Sequence, residues 1–180
     1  MRGKHSFAVS SLMLVSLFAL TTAVADTKGE IDTNVTQALT KFYAQNPKHQ
    51  ELADKAVGIL VFPRVTKGGV GVGGEYGEGA LQVKGATVDY YKMTSGSVGA
   101  TLGMASRSEI LMFMTQESLD KFTKSKGWKA GVDAGVAVMS MGAGGQYDTK
   151  TMQQPIIGFV FGEKGLIGDL SFEGSKITKI

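Results

Sequence analysis

Gly69, Gly71 and Gly74 stand at the spacing of a dinucleotide-binding fingerprint within KGGVGVGGEYGEGAL, residues 67–81, a stretch with seven glycines in fifteen positions. Such a loop holds a pyrophosphate only where a helix opens inside the motif and aims its backbone N–H groups at the phosphates. The residues that follow, EYGEGALQV, add glycine and carry no helical stripe. A strand is therefore the expectation, with Gly69, Gly71, Gly73, Gly74, Gly77 and Gly79 leaving out side chains so that a sheet can bend and pack closely. No GxxxxGKS or GxxxxGKT segment supplies a phosphate loop.

The remaining reactive residue types are sparse. The chain has no cysteine and two histidines, His5 and His49. A metal site would have to be built mostly from carboxylates, and no DxDxDG-like cluster provides one, so neither metal nor cofactor is expected. No serine lies in a GxSxG segment, and His49 falls in a helical pattern where it reads as solvated. Glu75, Glu78 and Asp89 raise paired-carboxylate chemistry, but acids beside glycine turns ordinarily face water. These absences point away from an enzyme. Nine methionines fall mostly on strand patterns and read as core filling.

Cations form two loose groups, one with Lys41, Lys48, Lys55, Arg64 and Lys67, the other with Lys121, Lys124, Lys126 and Lys129. The second surrounds a helix end beside Trp128, the only tryptophan, which reads as a packing anchor or a membrane-interface residue. Each cation held near an anionic bilayer contributes on the order of 1 kcal/mol.

The elements that must position these residues are legible from caps and periodicity. The 180 residues, 43% hydrophobic and 19% charged, suit one globular domain. Residues 1–25 are expected to be a signal peptide: Arg2, Lys4 and His5 precede an uncharged, mostly apolar run from Phe7 to Leu20, and Ala23-Val24-Ala25 offers a cleavage site. Cleavage after Ala25 removes two cations and leaves 17 basic and 16 acidic residues, a net charge of +1. Attraction to an anionic surface must then come from a local patch, and no nucleic-acid partner is expected. Without a cysteine to acylate the protein is no lipoprotein, and periplasm or secretion is the expected location.

Thr27 and Glu30 have capping-box spacing, and Ile31, Val35, Leu39 and Phe42 recur on one face of the helix that follows, which ends at Asn46-Pro47. A second helix fits 47–57 with Gly58 as its cap. Strands are expected at 58–65, through the glycine-rich stretch, at 88–93 and 97–106 around a Ser95-Gly96 turn, and at 109–115. Thr115 opens one more helix, and strands resume at 132–140, 141–147, 156–161 and 166–172. MGAGGQY at 141–147 echoes VGVGGEY at 70–76. The fold class is α+β: a strongly bent antiparallel β-sheet or partly closed barrel, with two N-terminal helices and one inserted helix. The divisions are 1–25 (signal peptide), 26–46 (amphipathic helix) and 47–180 (main domain).

In order along the chain, GILVFPRVTKGGVGVGGEYGEGAL, SGSVGATLG, LMFMTQESLDKF, GVDAGVAV and FGEKGLIGDLSFEGSKITKI resemble the SYLF-domain family over roughly residues 47–180. The resemblance implies a non-enzymatic lipid-binding module. Its eukaryotic relatives bind phosphoinositides and some fungal ones bind actin; bacterial ones are exported proteins or lipoproteins. Actin enters by that analogy alone and does not suit a periplasmic protein. In eukaryotic relatives an N-terminal amphipathic helix contributes to membrane contact, which here corresponds to Ile31, Val35, Leu39 and Phe42 with Lys41. The expected lipid contacts are these five together with Lys67, Lys124, Lys126, Trp128 and Lys129. The alternative is a small outer-membrane β-barrel or a structural envelope protein without a lipid ligand, disfavoured by irregular strand lengths and by Ile180, not an aromatic residue, at the last position.

Overall fold

The computed structural model describes residues 26–70, 72–98, 103–130, 133, 135–138, 149–162, 165–166, 172 and 174–180. The expected signal peptide, Gly71, residues 99–102 of the strand expected at 97–106, the strand at 141–147, residues 132, 134, 139 and 140 of that at 132–140 and most of that at 166–172 lie outside the described residues.

Helix α1, Lys28–Gln45, opens on the expected capping box: the Thr27 hydroxyl accepts from the Glu30 N–H, and the Thr27 N–H donates to the Glu30 carboxylate at 2.7 Å. Asn46 ends α1 and caps α2, Pro47–Lys55, by accepting from the Lys48 N–H. Helix α2 stops earlier than expected. Its C-cap is Ala56, whose N–H reaches the Leu52 and Ala53 carbonyls. Gly58 instead starts strand β1, where an added Cβ would lie 2.9 Å from the Leu119 side chain.

Strands β1 (Gly58–Val70), β2 (Val72–Val83), β3 (Ala86–Val98) and β4 (Gly103–Phe113) follow. Lys84 and Gly85, both at positive φ, make the two-residue β2–β3 turn, a geometry whose twist suits a hairpin. No turn interrupts β3 at Ser95-Gly96, because both residues pair with β2, Gly96 opposite Gly74. Helix α3 (Gln116–Lys124) is capped by Thr115. Short β5 (Trp128–Lys129), β6 (Ala137–Val138) and α4 (Thr149–Met152) precede β7 (Ile156–Gly162), β8 (Gly165–Leu166) and β9 (Lys176–Lys179). The sheet order is β5-β9-β3-β2-β1-β4-β7-β6, with β8 on β7. Pairing is antiparallel except between β6 and β7. The fold is α+β, with the sheet curled into a half-barrel.

The curl centres on a bulge. Between Val61 and Arg64 the register of β1 slips against β2, and between Phe62 and Val65 it slips against β4. Pro63 has no N–H for the ladder and occupies the irregular position. Ser108 donates its hydroxyl to the Pro63 carbonyl at 2.8 Å and so satisfies that acceptor. Across the bulge, a Cβ at Gly79 would stand 2.1 Å from the Val61 carbonyl oxygen, and one at Gly77 2.9 Å from that of Arg64. These two glycines are sterically required. Gly74 is not, because its Cβ would meet only the Ser95 carbonyl, at 3.4 Å. Gly69 pairs with Gly73 near the hairpin end.

Both faces of the central strands are buried. One carries Val61, Ala80, Ile110, Met112, Ile157 and Phe159 beneath α1 and α2. The other packs Leu60, Phe62, Leu81, Met93, Leu111 and Phe113 with α3 and Trp128.

Candidate functional site

The stripe Ile31, Val35, Leu39 and Phe42 faces protein. Val35 and Phe42 are 0% exposed, and all four belong to the core between α1 and the sheet. Their expected contact with a membrane is thereby corrected: each such side chain contributes roughly 1.5–3 kcal/mol by leaving water, so folding uses the stripe. Asp32 fixes the helix further, accepting from the Thr87 and Tyr90 hydroxyls at 2.8 and 2.7 Å. Trp128 is likewise core, 3% exposed and edge-on to Phe122.

His49, expected in solvent, is fully buried and stacks on Phe42 with ring centres 3.9 Å apart. Its Nδ1 lies 2.6 Å from the Phe42 carbonyl, and burial holds its pKa below the ordinary histidine value.

The expected cations separate. Lys124 pairs with Asp120 at 3.7 Å and Lys121 with Glu117 at 2.7 Å, so the basic face of α3 is locally neutralised. Lys67 pairs with Glu75. Lys41 lies exposed on α1.

Lys126 and Lys129 remain, and the sheet adds partners distant in sequence. Strand β9 sits between β3 and β5, with Trp128, Ile177 and Met93 aligned on the buried side. Alternation puts the next rung outward: Lys129 lies directly opposite Lys176, which is itself opposite Thr94. Lys92, opposite Thr178 on β9 and Glu78 on β2, shares this outward face. The Lys176 chain crosses Gly127, with its Cε 2.9 Å from where a Cβ would stand. None of Lys92, Lys126, Lys129 and Lys176 makes an ion pair among the described residues. Like charges directly opposite on paired strands destabilise the sheet, and the carboxylate of Asp133, which accepts from the Lys129 N–H, lies beside this rung.

A second charged group lies inside. Arg107 and Glu109 project from one face of β4, and Arg107 bridges the Glu109 and Glu75 carboxylates at 2.7 Å to each. With Lys67 the charges alternate from interior to surface. Glu75, expected in water, thus belongs to a buried network. Burial pushes the Glu109 carboxyl up to about 7 against the pull of Arg107, and its Oε2 has no hydrogen-bond partner. Burial also pushes Glu75 upward, but the Arg107 hydrogen bond and charge outweigh it and hold the carboxyl below its usual range. Glu78 accepts from the Tyr76 hydroxyl and Asp89 pairs with Lys179, so the three acids considered for glycoside chemistry are held by separate partners. The signal for Arg107 and Glu109 was present in SRSEILMF, where two charges at i,i+2 share a face with Leu111 and Phe113.

No helix among the described residues is long and apolar enough to cross a membrane. Residues 94–179 match the model of the Ysc84 family, described as Las17-binding protein actin regulator. The chain is also 28% identical over 153 residues to Beta cell expansion factor A of Aeromonas veronii, covering 81% of this chain and 54% of that protein. It thus spans about half the length of this curated relative. The matched stretch runs from the end of β3 through β4 and α3 to β9 and resembles the Ysc84 domain of the SYLF family.

Proposed function

We infer that the domain binds anionic membrane surfaces without catalysing a reaction, and that the outward face of β5, β9 and β3 makes the contact. The observation that carries this reading is the unpaired Lys129–Lys176 rung, with Lys92 and Lys126 nearby. Bilayer phosphates would relieve the repulsion between these cations, each contributing on the order of 1 kcal/mol, and added salt would screen the attraction. The leader-like pattern of residues 1–25 supports a place in the cell envelope, periplasmic or secreted. Actin regulation belongs to the family description and is not part of this reading. A transmembrane barrel fits less well, because it leaves one face of its strands to lipid, whereas both faces of β1 and β4 are covered here.

Vesicle sedimentation tests the reading. The chain should pellet with vesicles containing phosphatidylglycerol, stay in solution with phosphatidylcholine alone, and be released by salt. Lys129→Glu with Lys176→Glu should reduce pelleting at least about tenfold, since two attractions become repulsions. Equal pelleting with neutral and anionic vesicles, or none with either, would remove the membrane reading.

A further inference from the structure

The start of α1 makes a contact that reaches across the fold. The backbone N–H of Asp26, one residue before the Thr27 cap, donates to Oε2 of Glu78 on β2 at 2.9 Å. The other carboxylate oxygen of Glu78 accepts from the Tyr76 hydroxyl at 2.6 Å, so both of its oxygens are held. The next N–H along the chain, that of Thr27, goes to the Glu30 carboxylate. Position 26 is thus fixed from two sides, against the sheet by Glu78 and through its neighbour by the capping box.

Glu78 lacks a cation. Arg64 on β1 and Lys92 on β3 both stand opposite it in register, yet neither forms an ion pair with it among the described residues. Asp26 and Glu30 line a cleft together with Arg64, and no ion pair joins either acid to that guanidinium. The partners of the Glu78 carboxylate, an amide and a phenol, are both neutral.

Asp26 is also the residue that cleavage after Ala25 would put first. Hydrolysis breaks the C–N bond between Ala25 and Asp26 and divides one water across it, leaving a carboxylate on Ala25. The Asp26 nitrogen becomes an ammonium at neutral pH, because α-amines ordinarily titrate near about 8. The atom already bound by Glu78 therefore gains a positive charge without having to move.

We propose that the Glu78 carboxylate, steadied by Tyr76, receives the amino terminus that signal-peptide cleavage creates at Asp26, so that processing adds an ion pair between the start of α1 and strand β2. Hydrogen bonds to ionised groups are roughly twice as strong as neutral ones. The pair also offsets the unfavourable placing of a cation beside the positive end of a helix. A chain that keeps its leader has only the neutral amide bond at this point. The proposal rests on the envelope reading for the cut and does not depend on vesicle binding.

The test uses the chain exported by a bacterial host that expresses all 180 residues. Amino-terminal sequencing should begin at Asp26. Selective acetylation of the α-amine, under mildly acidic conditions that spare lysines, then restores an amide at that nitrogen and imitates the uncut bond. It removes the charge and keeps an N–H donor. Urea unfolding compares free and acetylated chains, each with Glu78 and with Glu78→Gln. Acetylation should lower the folding equilibrium constant of the parent about two- to fivefold relative to its effect in Glu78→Gln, the coupling typical of an exposed ion pair. The rate at which the native α-amine is acylated gives a readout that needs no unfolding, and it should rise by a similar factor in Glu78→Gln. A missing difference in either measurement overturns the proposal, as does a first residue other than Asp26. A chain kept in the cytoplasm with Met1 in place would sink the envelope reading as well, whereas an exported chain that starts at Asp26 without coupling to Glu78 would sink this proposal alone.

Discussion

Replacing Glu109 by glutamine should change how stability depends on pH, with a predictable sign. The carboxyl is 1% exposed, one of its oxygens has no partner, and its pKa in the folded chain is raised from 4.5 to about 7. Between those values the folded state keeps a proton that the unfolded state has lost. Stability must therefore fall as pH rises through the window and level off above about 7. At about 1.4 kcal/mol per pH unit, the interval from 4.5 to about 7 corresponds to on the order of 3 kcal/mol. His49 acts in the opposite sense. Its depressed pKa means the unfolded state takes up a proton first, so its contribution is lost as pH falls below about 6.5. The net slope of the parent chain mixes the two, and the difference between parent and Glu109→Gln isolates the carboxyl. Urea unfolding at several pH values from 4.5 to 8 measures it. The variant should gain on the parent by on the order of 3 kcal/mol from the acid to the alkaline end. Parallel stability curves would show that Glu109 is ionised throughout, and would refute the burial argument.

Gly79→Ala should lower stability by about 2–4 kcal/mol, because its Cβ would fall 2.1 Å from the Val61 carbonyl oxygen and the strands must part to admit it; an unchanged thermal melt would contradict the tight bulge. Phe42→Ala should cost about 3–5 kcal/mol in urea unfolding, since the ring is fully buried against His49 and Phe159. A stable variant with weakened vesicle binding would return α1 to the membrane.

Much of the fold could be read from short-range signals. Thr27, Asn46 and Thr115 act as caps where they were expected, because a cap depends on residues only three positions away. The glycine-rich stretch is extended, as the missing helical stripe implied, but it forms the end of β1 and the start of β2, which pair with each other, and not one strand. Misreadings arose where the deciding neighbour is remote in sequence. A periodic stripe shows that α1 has an apolar face, but what covers it depends on strands β1, β2 and β7. His49 looked solvated because its cover, Phe42 and Phe159, comes from another helix and a late strand. Ser95-Gly96 has turn chemistry, yet pairing with β2 outweighs that local preference. Nothing near Lys129 announces Lys176, which register alone brings opposite it.

The placement of β9 has a consequence for how the molecule comes into being. Strands β1 to β3 pair with neighbours in sequence and can zip as successive hairpins, and β4 closes back onto β1, whereas β5 reaches the sheet only through β9, which is made after all the others described. Distant pairings of this kind form late. A nascent chain would thus lack its opposed lysines until β9 had emerged, and a chain clipped before Lys176 would keep the central strands while losing both the clasp over Trp128 and the charge it displays.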